Sequence, residues 1–262
     1  MLGPLDLMIP LLVLGVALAT MPFTVVTCVL TRQLSNLTSW SRFKRAWFKQ
    51  VYMWFGPASK PLIAPKVGPL LSVAYGTVVE VGPAGGTWMS ELAEAACASS
   101  GRIKKIYGVE PNTLFHPELI KAAKSFGLSD IYEPVAAYAQ DLEQKGIPKG
   151  SIDTIVTVHV LCSVGPPSMQ ESIAKVLYDY LKPGGQWLVY EHVTSKHAPI
   201  KIWQKLNNIL WSRLLDGCDI TRSTEEIIRN AGEWESETLG PDPKEGYFES
   251  LPHTIGRLVK KI

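Results

Sequence analysis

Neither sign of charge dominates this chain. In 262 residues, 26 Lys and Arg stand against 24 Asp and Glu. No strongly basic face is implied, which removes nucleic acid as the default partner. Cysteine is scarce: Cys28, Cys97, Cys162 and Cys218 show no Cys-x-x-Cys spacing. Neither a zinc site nor a disulfide framework is expected, and reduced thiols in a cytosol-facing domain fit best. Internal repeats and low-complexity tracts are missing. So is GxGxxG, the phosphate-cradling turn that a nicotinamide-dependent oxidoreductase would carry.

One stretch lacks charge altogether. From Leu7 to Leu30, LMIPLLVLGVALATMPFTVVTCVL, no charged residue occurs. About 20 apolar residues span a bilayer as a helix, and a core helix rarely stays apolar on every side for so long. The rival is a cleaved signal peptide, because Ala17-Leu18-Ala19 resembles a cleavage site. Against it, the segment before the run has only Asp6 and no Lys or Arg, and the run continues well past the site. A retained anchor over residues 1–31 is the expectation.

Residues 40–55, WSRFKRAWFKQVYMWF, set Trp40, Phe43, Trp47, Val51 and Trp54 at steps of three or four, with Arg42, Lys44, Arg45 and Lys49 mostly between them. This predicts a basic amphipathic helix suited to a lipid headgroup surface; the alternative is an ordinary helix packed on the domain that follows. Positive charge after the apolar run places this side in the cytoplasm. Proline and glycine then cluster in FGPASKPLIAPKVGP, residues 55–69, a linker or an irregular helical entry. The expected division is an anchor at 1–31, a juxtamembrane helix and linker at 32–75, and one domain at 76–262.

In that domain apolar runs alternate with helical patterns. Strands are expected at 77–82, 104–111, 131–137, 151–160 and 186–193, and helices at 87–99, 113–127, 136–146 and 167–185. A further amphipathic helix, 199–215, carries Trp203 and Trp211. Strands separated by such helices imply a parallel sheet covered on both faces, a doubly wound α/β fold. Ligands bind such sheets at the carboxyl ends of the strands.

VVEVGPAGGTW, residues 78–88, ends a buried strand on Glu80 and turns through Gly82, Gly85 and Gly86. Glycines let the backbone turn sharply and approach a ligand closely. Glu110 ends the next strand, where a carboxylate accepts from ribose hydroxyls. An acid ahead of the glycines, ExGxxxG, suits a cofactor that lacks phosphate and carries an amino acid and a sulfonium.

VVEVGPAGGTW, GVEPN, VTVHVLCSV, LKPGG, YEHV and LLDGCDITR, in this order, resemble a class I S-adenosylmethionine-dependent methyltransferase. Within that superfamily they are similar to the membrane-anchored methyltransferase-like proteins of the endoplasmic reticulum and lipid droplets, which include thiol S-methyltransferases. The resemblance runs from about residue 76 to the C-terminus. It implies a seven-stranded, mostly parallel sheet and S-adenosylmethionine as cofactor. Glu80, Gly82, Gly85 and Gly86 would shape the pocket for its methionine end, Glu110 would hold the ribose with Asn112 beside it, and Ala137 would lie by the adenine. His159 would face the sulfonium or the acceptor. Two departures stand out: Ala84 replaces the usual middle glycine, and Tyr138-Ala139 stands where an acidic or polar residue often follows the third strand.

His159, His192 and Asp219 are the catalytic candidates. Each also has a plain reading: His159 as a satisfied cleft histidine, His192 as a loop-fixing residue partnered by Glu191, and Asp219 as part of a cap and ion pair with Asp216 and Arg222 ahead of a short helix. A thiol acceptor needs little base, an alcohol or phenol needs a positioned one, and an amine only needs to be neutral. The anchor favours a small lipophilic acceptor and the resemblance a thiol; membrane lipids are expected as neighbours, and no metal or nucleic acid. O- or N-methyl transfer, or a non-catalytic scaffold at the membrane, are the alternatives.

Overall fold

The computed structural model describes residues 3–98 and 103–262. Five strands build its parallel half: β1 (Gly76–Val81), β2 (Ile103–Val109), β3 (Tyr132–Val135), β4 (Ile152–Val158) and β5 (Leu181–His192). The first four lie close to the expected runs. β5 starts earlier than expected, because the Pro-Gly-Gly segment stays beside β4 across a register shift between Ile152 and Thr154. Before the strands come two long helices, α1 (Ile9–Leu30) and α2 (Trp40–Leu71). The crossovers carry α3 (Met89–Cys97), α4 (His116–Ser125), a 3-10 helix at Ala139–Lys145 and α5 (Pro167–Tyr180). Ser99, the end of the helix expected at 87–99, lies outside the described residues. The chain finishes with α6 (Ala198–Leu214), α7 (Thr224–Arg229), β6 (Trp234–Glu237), β7 (Gly240–Pro241) and β8 (His253–Lys260).

The sheet order is β3-β2-β1-β4-β5-β8-β6. β8 runs antiparallel to both β5 and β6. The seven expected strands therefore form one continuous path, and the two-residue β7 joins β8 as an eighth. From β1 the chain first winds outward through β2 and β3, then returns to β4 on the other side. That reversal opens a crevice at the carboxyl ends of β1 and β4. Alternate strand residues point to opposite faces, so Val79, Ile155 and Trp187 pack under Leu142 and Leu177, while Val78, Val156 and Leu188 pack under Leu92 and Leu119.

The second of these cores also takes Val67 and Leu71 from α2, each contributing roughly 1.5–3 kcal/mol by full burial. α2 runs unbroken through 55–69, where the sequence suggests a linker or irregular entry. Pro57, Pro61, Pro65 and Pro69 all lie on its exposed side, so the carbonyls they leave unpaired face water. Packing of the opposite side holds the helix where propensity would not.

α1 lies along the domain. Val13, Leu14 and Ala17 meet Phe43, Trp47 and Val51 of α2, Trp211 of α6, and Cys162, Cys218 and Leu251 in a third apolar cluster. The Trp47 indole donates to the Ala17 carbonyl at 2.9 Å and to the Thr20 hydroxyl at 3.1 Å. The Trp203 indole donates to the Leu7 carbonyl at 2.9 Å. Phe43, Trp47 and Val51, expected at a headgroup surface, thus face inward, because α1 covers them; Trp40 and Trp54 stay exposed. The outer side of α1 leaves Leu12, Leu18, Phe23, Val26 and Leu30 exposed. Gly3–Leu30 is, by length and composition, able to cross a membrane.

Candidate active site

Glu80 and Glu110 stand on neighbouring strands at the crevice. Glu80 Oε2 accepts from the Tyr132 hydroxyl at 3.2 Å. Tyr132 belongs to β3 and must cross β2 to reach it. It crosses at Gly108, where a Cβ would sit 2.1 Å from the hydroxyl oxygen. Glu110 accepts from two backbone amides, Ala84 at 3.0 Å and Asn112 at 2.8 Å. Burial pushes Glu80 up to about 7 against the Tyr132 bond, with the Glu110 charge adding to the rise. Burial likewise pushes Glu110 up to about 7 against its two amide donors.

The turn between them needs its glycines. Gly82 has φ +62°, and a Cβ there would lie 2.5 Å from Val160 Cγ2. Gly86 has φ +80°. Ala84 adopts φ +46°, the left-handed region that the missing middle glycine would occupy freely. It bears the strain while its amide serves Glu110. α2 roofs this turn. A Cβ on Gly85 would meet Met53 Sδ at 2.7 Å, and Lys60 Nζ donates to the Thr87 carbonyl at 2.8 Å. The Asn112 amide donates to the Arg45 carbonyl at 3.2 Å. Tyr52 lies close enough to both acids for their charges to raise its pKa, behind the larger effect of burial.

The other side of the crevice is a stack of rings. His159 follows β4 at φ +56°, His192 ends β5, and His253 opens β8 directly opposite His192 in the antiparallel register. His159 and His192 stack at 4.4 Å and 5°. His253 lies 4.5 Å from His192 and stacks on Tyr190 at 4.5 Å and 13°. Burial lowers the pKa of His159 and His192 well below the ordinary value, and that of His253 to about 3. One nitrogen from each lies within 4.8 Å of the others. A tetrahedral metal would draw its ligand nitrogens to roughly 3.3 Å with converging lone pairs. His159 and His192 are parallel, and His253 is tilted by 36° and 35° to them, with the three nitrogens wider apart than that spacing.

The loop between these halves is clamped from both sides. Glu191 accepts from the amides of Val160 and Leu161, each at 3.1 Å; its carboxylate serves this loop, where adjacency in sequence suggests His192. The Arg222 guanidinium donates to the carbonyls of Leu161 at 3.3 Å, Val164 at 2.9 Å and Gly165. Asp219 accepts from Asn208 at 2.9 Å and from the Thr221 hydroxyl at 2.7 Å, with Arg222 Nε 3.6 Å away. Its carboxylate is engaged in fixing the turn, on the wall of a separate cavity of about 460 Å³. Ser223 occupies the N-cap of α7 without a side-chain bond. Ala137, buried just past β3, is on the Glu110 side.

The sequence thus places Glu80, Glu110, Asn112 and the glycines together, and His159 with His192. It misses His253, which only the β5–β8 register brings opposite His192, and Tyr52 and Met53, whose helical spacing gave no hint that α2 roofs the glycine turn. A cofactor with a cationic methionine end fits the first half: Glu80 Oε1 is buried without a partner among the described residues, and each Glu110 oxygen keeps lone-pair capacity beyond its one amide.

Comparison with known proteins agrees with this geometry. A family model described as a methyltransferase domain matches residues 45–230. The human thiol S-methyltransferase TMT1B is 25% identical over 264 residues, covering 98% of this chain and 100% of that protein. Human thiol S-methyltransferase TMT1A is 27% identical over 205 residues, covering 76% and 80%. Among solved structures, the apo form of the S-adenosylmethionine-dependent methyltransferase SibL superposes with a TM-score of 0.57 at 19% identity, over 82% of this chain and 58% of that one. This chain therefore spans somewhat under two thirds of that structure's length. The family match runs from α2 through α7 and takes in both acids, the glycine turn, the clamped loop and two of the three histidines: the chain belongs to the methyltransferase-domain family and is an S-adenosylmethionine-dependent methyltransferase.

Proposed function

We propose that this enzyme is held at a membrane by α1 and methylates a small lipophilic acceptor, a thiol by preference. The observation that carries the reading is the third apolar cluster. The inner side of α1 packs on Cys162, Cys218 and Leu251, in loops next to the histidine stack, while its outer side is exposed and apolar. One helix therefore touches both the acceptor side of the crevice and whatever medium lies outside. α6 extends that outer surface: Ile202, Leu206, Ile209 and Leu210 are exposed beside exposed Lys201, Lys205 and Arg213. An apolar stripe edged by cations suits a lipid interface. In this reading residues 1–31 anchor the chain, 32–75 carry the juxtamembrane helix, and 76–262 form the catalytic domain on the cytosolic face of the endoplasmic reticulum or a lipid droplet.

The bound cofactor supplies an electrophilic methyl group on a sulfonium. Glu80 offers its unpartnered oxygen to the cationic methionine end, Glu110 and Asn112 take the ribose, and Gly82, Gly85 and Gly86 let the backbone approach. Ala137 borders the adenine. Glu191 and Arg222 hold the loop after β4 so that His159 keeps its place between the halves; alignment of donor and acceptor supplies much of the acceleration. A thiol needs little activation, and the relatives that share nearly the whole chain are named thiol S-methyltransferases.

The test uses the full chain in lipid nanodiscs. Alkanethiols of rising chain length, charged water-soluble thiols, and matched alcohols and amines are compared by kcat/KM. Efficiency should rise with partition into the bilayer and fall away for the alcohols and amines. Equal efficiency for charged and lipophilic thiols defeats the membrane reading, and a faster alcohol or amine defeats the thiol preference.

A further inference from the structure

α2 comes down onto the glycine turn at Gly56. A Cβ there would lie 3.0 Å from Thr87 Oγ1 and 3.0 Å from Tyr52 Cε1, so the bare backbone lets helix and turn touch. Tyr52, one helical turn earlier, packs edge-on against Phe115 at 5.9 Å and 84°. Phe48 meets the same ring at 6.2 Å and 83°, which fixes the tyrosine in place. The Thr87 hydroxyl donates to the Tyr52 oxygen at 3.4 Å. A phenol can donate as well as accept, and no acceptor among the described residues takes the Tyr52 proton. Burial raises the Tyr52 pKa against the Thr87 bond, and the charges of Glu80 and Glu110 add to the rise, so the hydroxyl keeps that proton. Between helix and turn lies a cavity of about 150 Å³, lined by Tyr52, Met53, Pro57 and Lys60 of α2 and by residues 85–87. No acidic residue lines it. Lys60 Nζ donates to the Thr87 carbonyl at 2.8 Å, to Ser90 Oγ at 2.5 Å and to Glu91 Oε2 at 2.8 Å. Its three protons are thereby used: Lys60 ties α2 to the start of α3, and Tyr52 is the free side-chain donor at the cavity.

An amino acid carries its ammonium and its carboxylate on one carbon, so the two need separate partners close together. Glu80 Oε1, buried and unpartnered among the described residues, suits the ammonium. A carboxylate brought near Glu80 and Glu110 is repelled by both. It needs a donor that no acid already holds. Lys60 fails this condition because Glu91 pairs with it; Tyr52 meets it. We infer that Tyr52 is a cofactor-binding residue whose hydroxyl donates to the carboxylate of the methionine end, seated in the cavity between α2 and the glycine turn. The inference rests on the proposed seating of the ammonium at Glu80 and is independent of the acceptor. It puts part of the cofactor site ahead of residue 76, on the helix whose Trp47 also holds α1.

The full chain in lipid nanodiscs is titrated by calorimetry with three probes. These are S-adenosylmethionine, its decarboxylated form, which keeps the ammonium and the sulfonium, and methylthioadenosine, which lacks the whole amino-acid end. In Tyr52→Phe, affinity for S-adenosylmethionine should fall about tenfold or more, the scale of one hydrogen bond to a charged group, and the other two probes should change less than about twofold. Wild type should prefer S-adenosylmethionine to the decarboxylated form, and Tyr52→Phe should erase most of that preference. Glu80→Gln should weaken those two probes alike and spare methylthioadenosine. Equal losses for the two probes in Tyr52→Phe, or no loss at all, overturn the inference. A loss that extends to methylthioadenosine also overturns it, because a distorted turn weakens every probe. A selective loss in Tyr52→Phe, with both probes unmoved by Glu80→Gln, retains the Tyr52 contact and overturns the seating of the ammonium at Glu80.

Discussion

The two sides of the crevice both bury carboxylates that desolvation pushes up to about 7: Glu80 and Glu110 on one, Glu245 on the other. They differ in how the chain assembles them. The cofactor side is written in two short stretches, 80–86 and 110–112, at the ends of adjacent strands. The histidine side gathers Lys66 from α2, His159 from the exit of β4, His192 from β5, Glu245 from the loop after β7 and His253 from β8. A cofactor common to many enzymes can be held by a local motif on a standard fold. The histidine side, in contrast, depends on an antiparallel register and a packed helix. Changes on the first side should therefore alter cofactor affinity without altering acceptor preference, and changes on the second should do the reverse.

The largest effect expected on the cofactor side is from Glu110→Ala. It removes the carboxylate proposed to hold the ribose and takes from the amides of Ala84 and Asn112 the partner they have in Glu110. Each hydrogen bond to a charged group is worth about 1.5–3 kcal/mol, so cofactor affinity should fall about 100-fold by calorimetry. Glu80→Gln keeps the Tyr132 bond and should lose about tenfold. Acceptor ranking among the molecules still methylated should not change; a changed ranking would break the division between the two sides.

What could be read in advance follows the same division. Strand runs of Val and Ile, with acids at their ends and glycines after the first, fix β1, β2 and the site between them by local sequence alone. His159 and His192 are visible because each ends an apolar run. His253 lies in LPHTIGRLVK, whose place beside β5 depends on a turn of the chain that periodicity does not encode. The course of α2 is hidden for a different reason. Four prolines argue for a linker, and only tertiary packing of Val67 and Leu71 overrides them. Glu191 sits next to His192 in sequence, but alternation along a strand points neighbours to opposite faces, which is why it serves the β4 loop.

Next in size is a pH effect. Glu80 and Glu110 sit near 7 in the folded protein against an ordinary 4.5. A raised carboxyl pKa stabilises the fold below the ordinary value, and that contribution is lost as pH rises through about 7. The cofactor-free protein should therefore lose thermal stability between pH 5 and 8. Binding a cation favours the ionised acids, so cofactor affinity should rise over the same window, roughly tenfold between pH 6 and 8 for each acid that must ionise. Calorimetry across that range checks the sign. Glu80→Gln should flatten the affinity profile, whereas Glu245→Gln should leave it intact although its carboxyl titrates in the same region.

Two glycines sharpen the comparison further. Gly82→Ala places a methyl 2.5 Å from Val160 Cγ2 at φ +62°, and the left-handed backbone alone costs about 1–2 kcal/mol. Gly85→Ala meets only Met53 Sδ at 2.7 Å, the pliable end of a methionine, and should cost less than about 1 kcal/mol. Urea midpoints at constant m-value measure both. Val160 adjoins His159, so Gly82→Ala is the one cofactor-turn variant expected to change alkanethiol kinetics as well, by displacing the loop that the two sides share.

The smallest effect concerns Ala84, at φ +46° and buried. Changing it to glycine relieves about 1–2 kcal/mol of left-handed strain. Against this stand about 0.5–1 kcal/mol of added chain entropy in the unfolded state and about 0.8 kcal/mol for the buried methyl that is lost. The net should lie within about 0.5 kcal/mol of zero, a near-cancellation that explains how alanine is tolerated where glycine is usual. The Ala84 amide still points at Glu110 in either case, so cofactor affinity should not move. A gain above about 1 kcal/mol in the urea experiment would show that the strain is kept for function, with the Ala84 backbone conformation held so that Glu110 stays bonded and aimed. A loss of that size would show instead that the methyl packs the turn, and that the cofactor side depends on a side chain its glycine motif does not include.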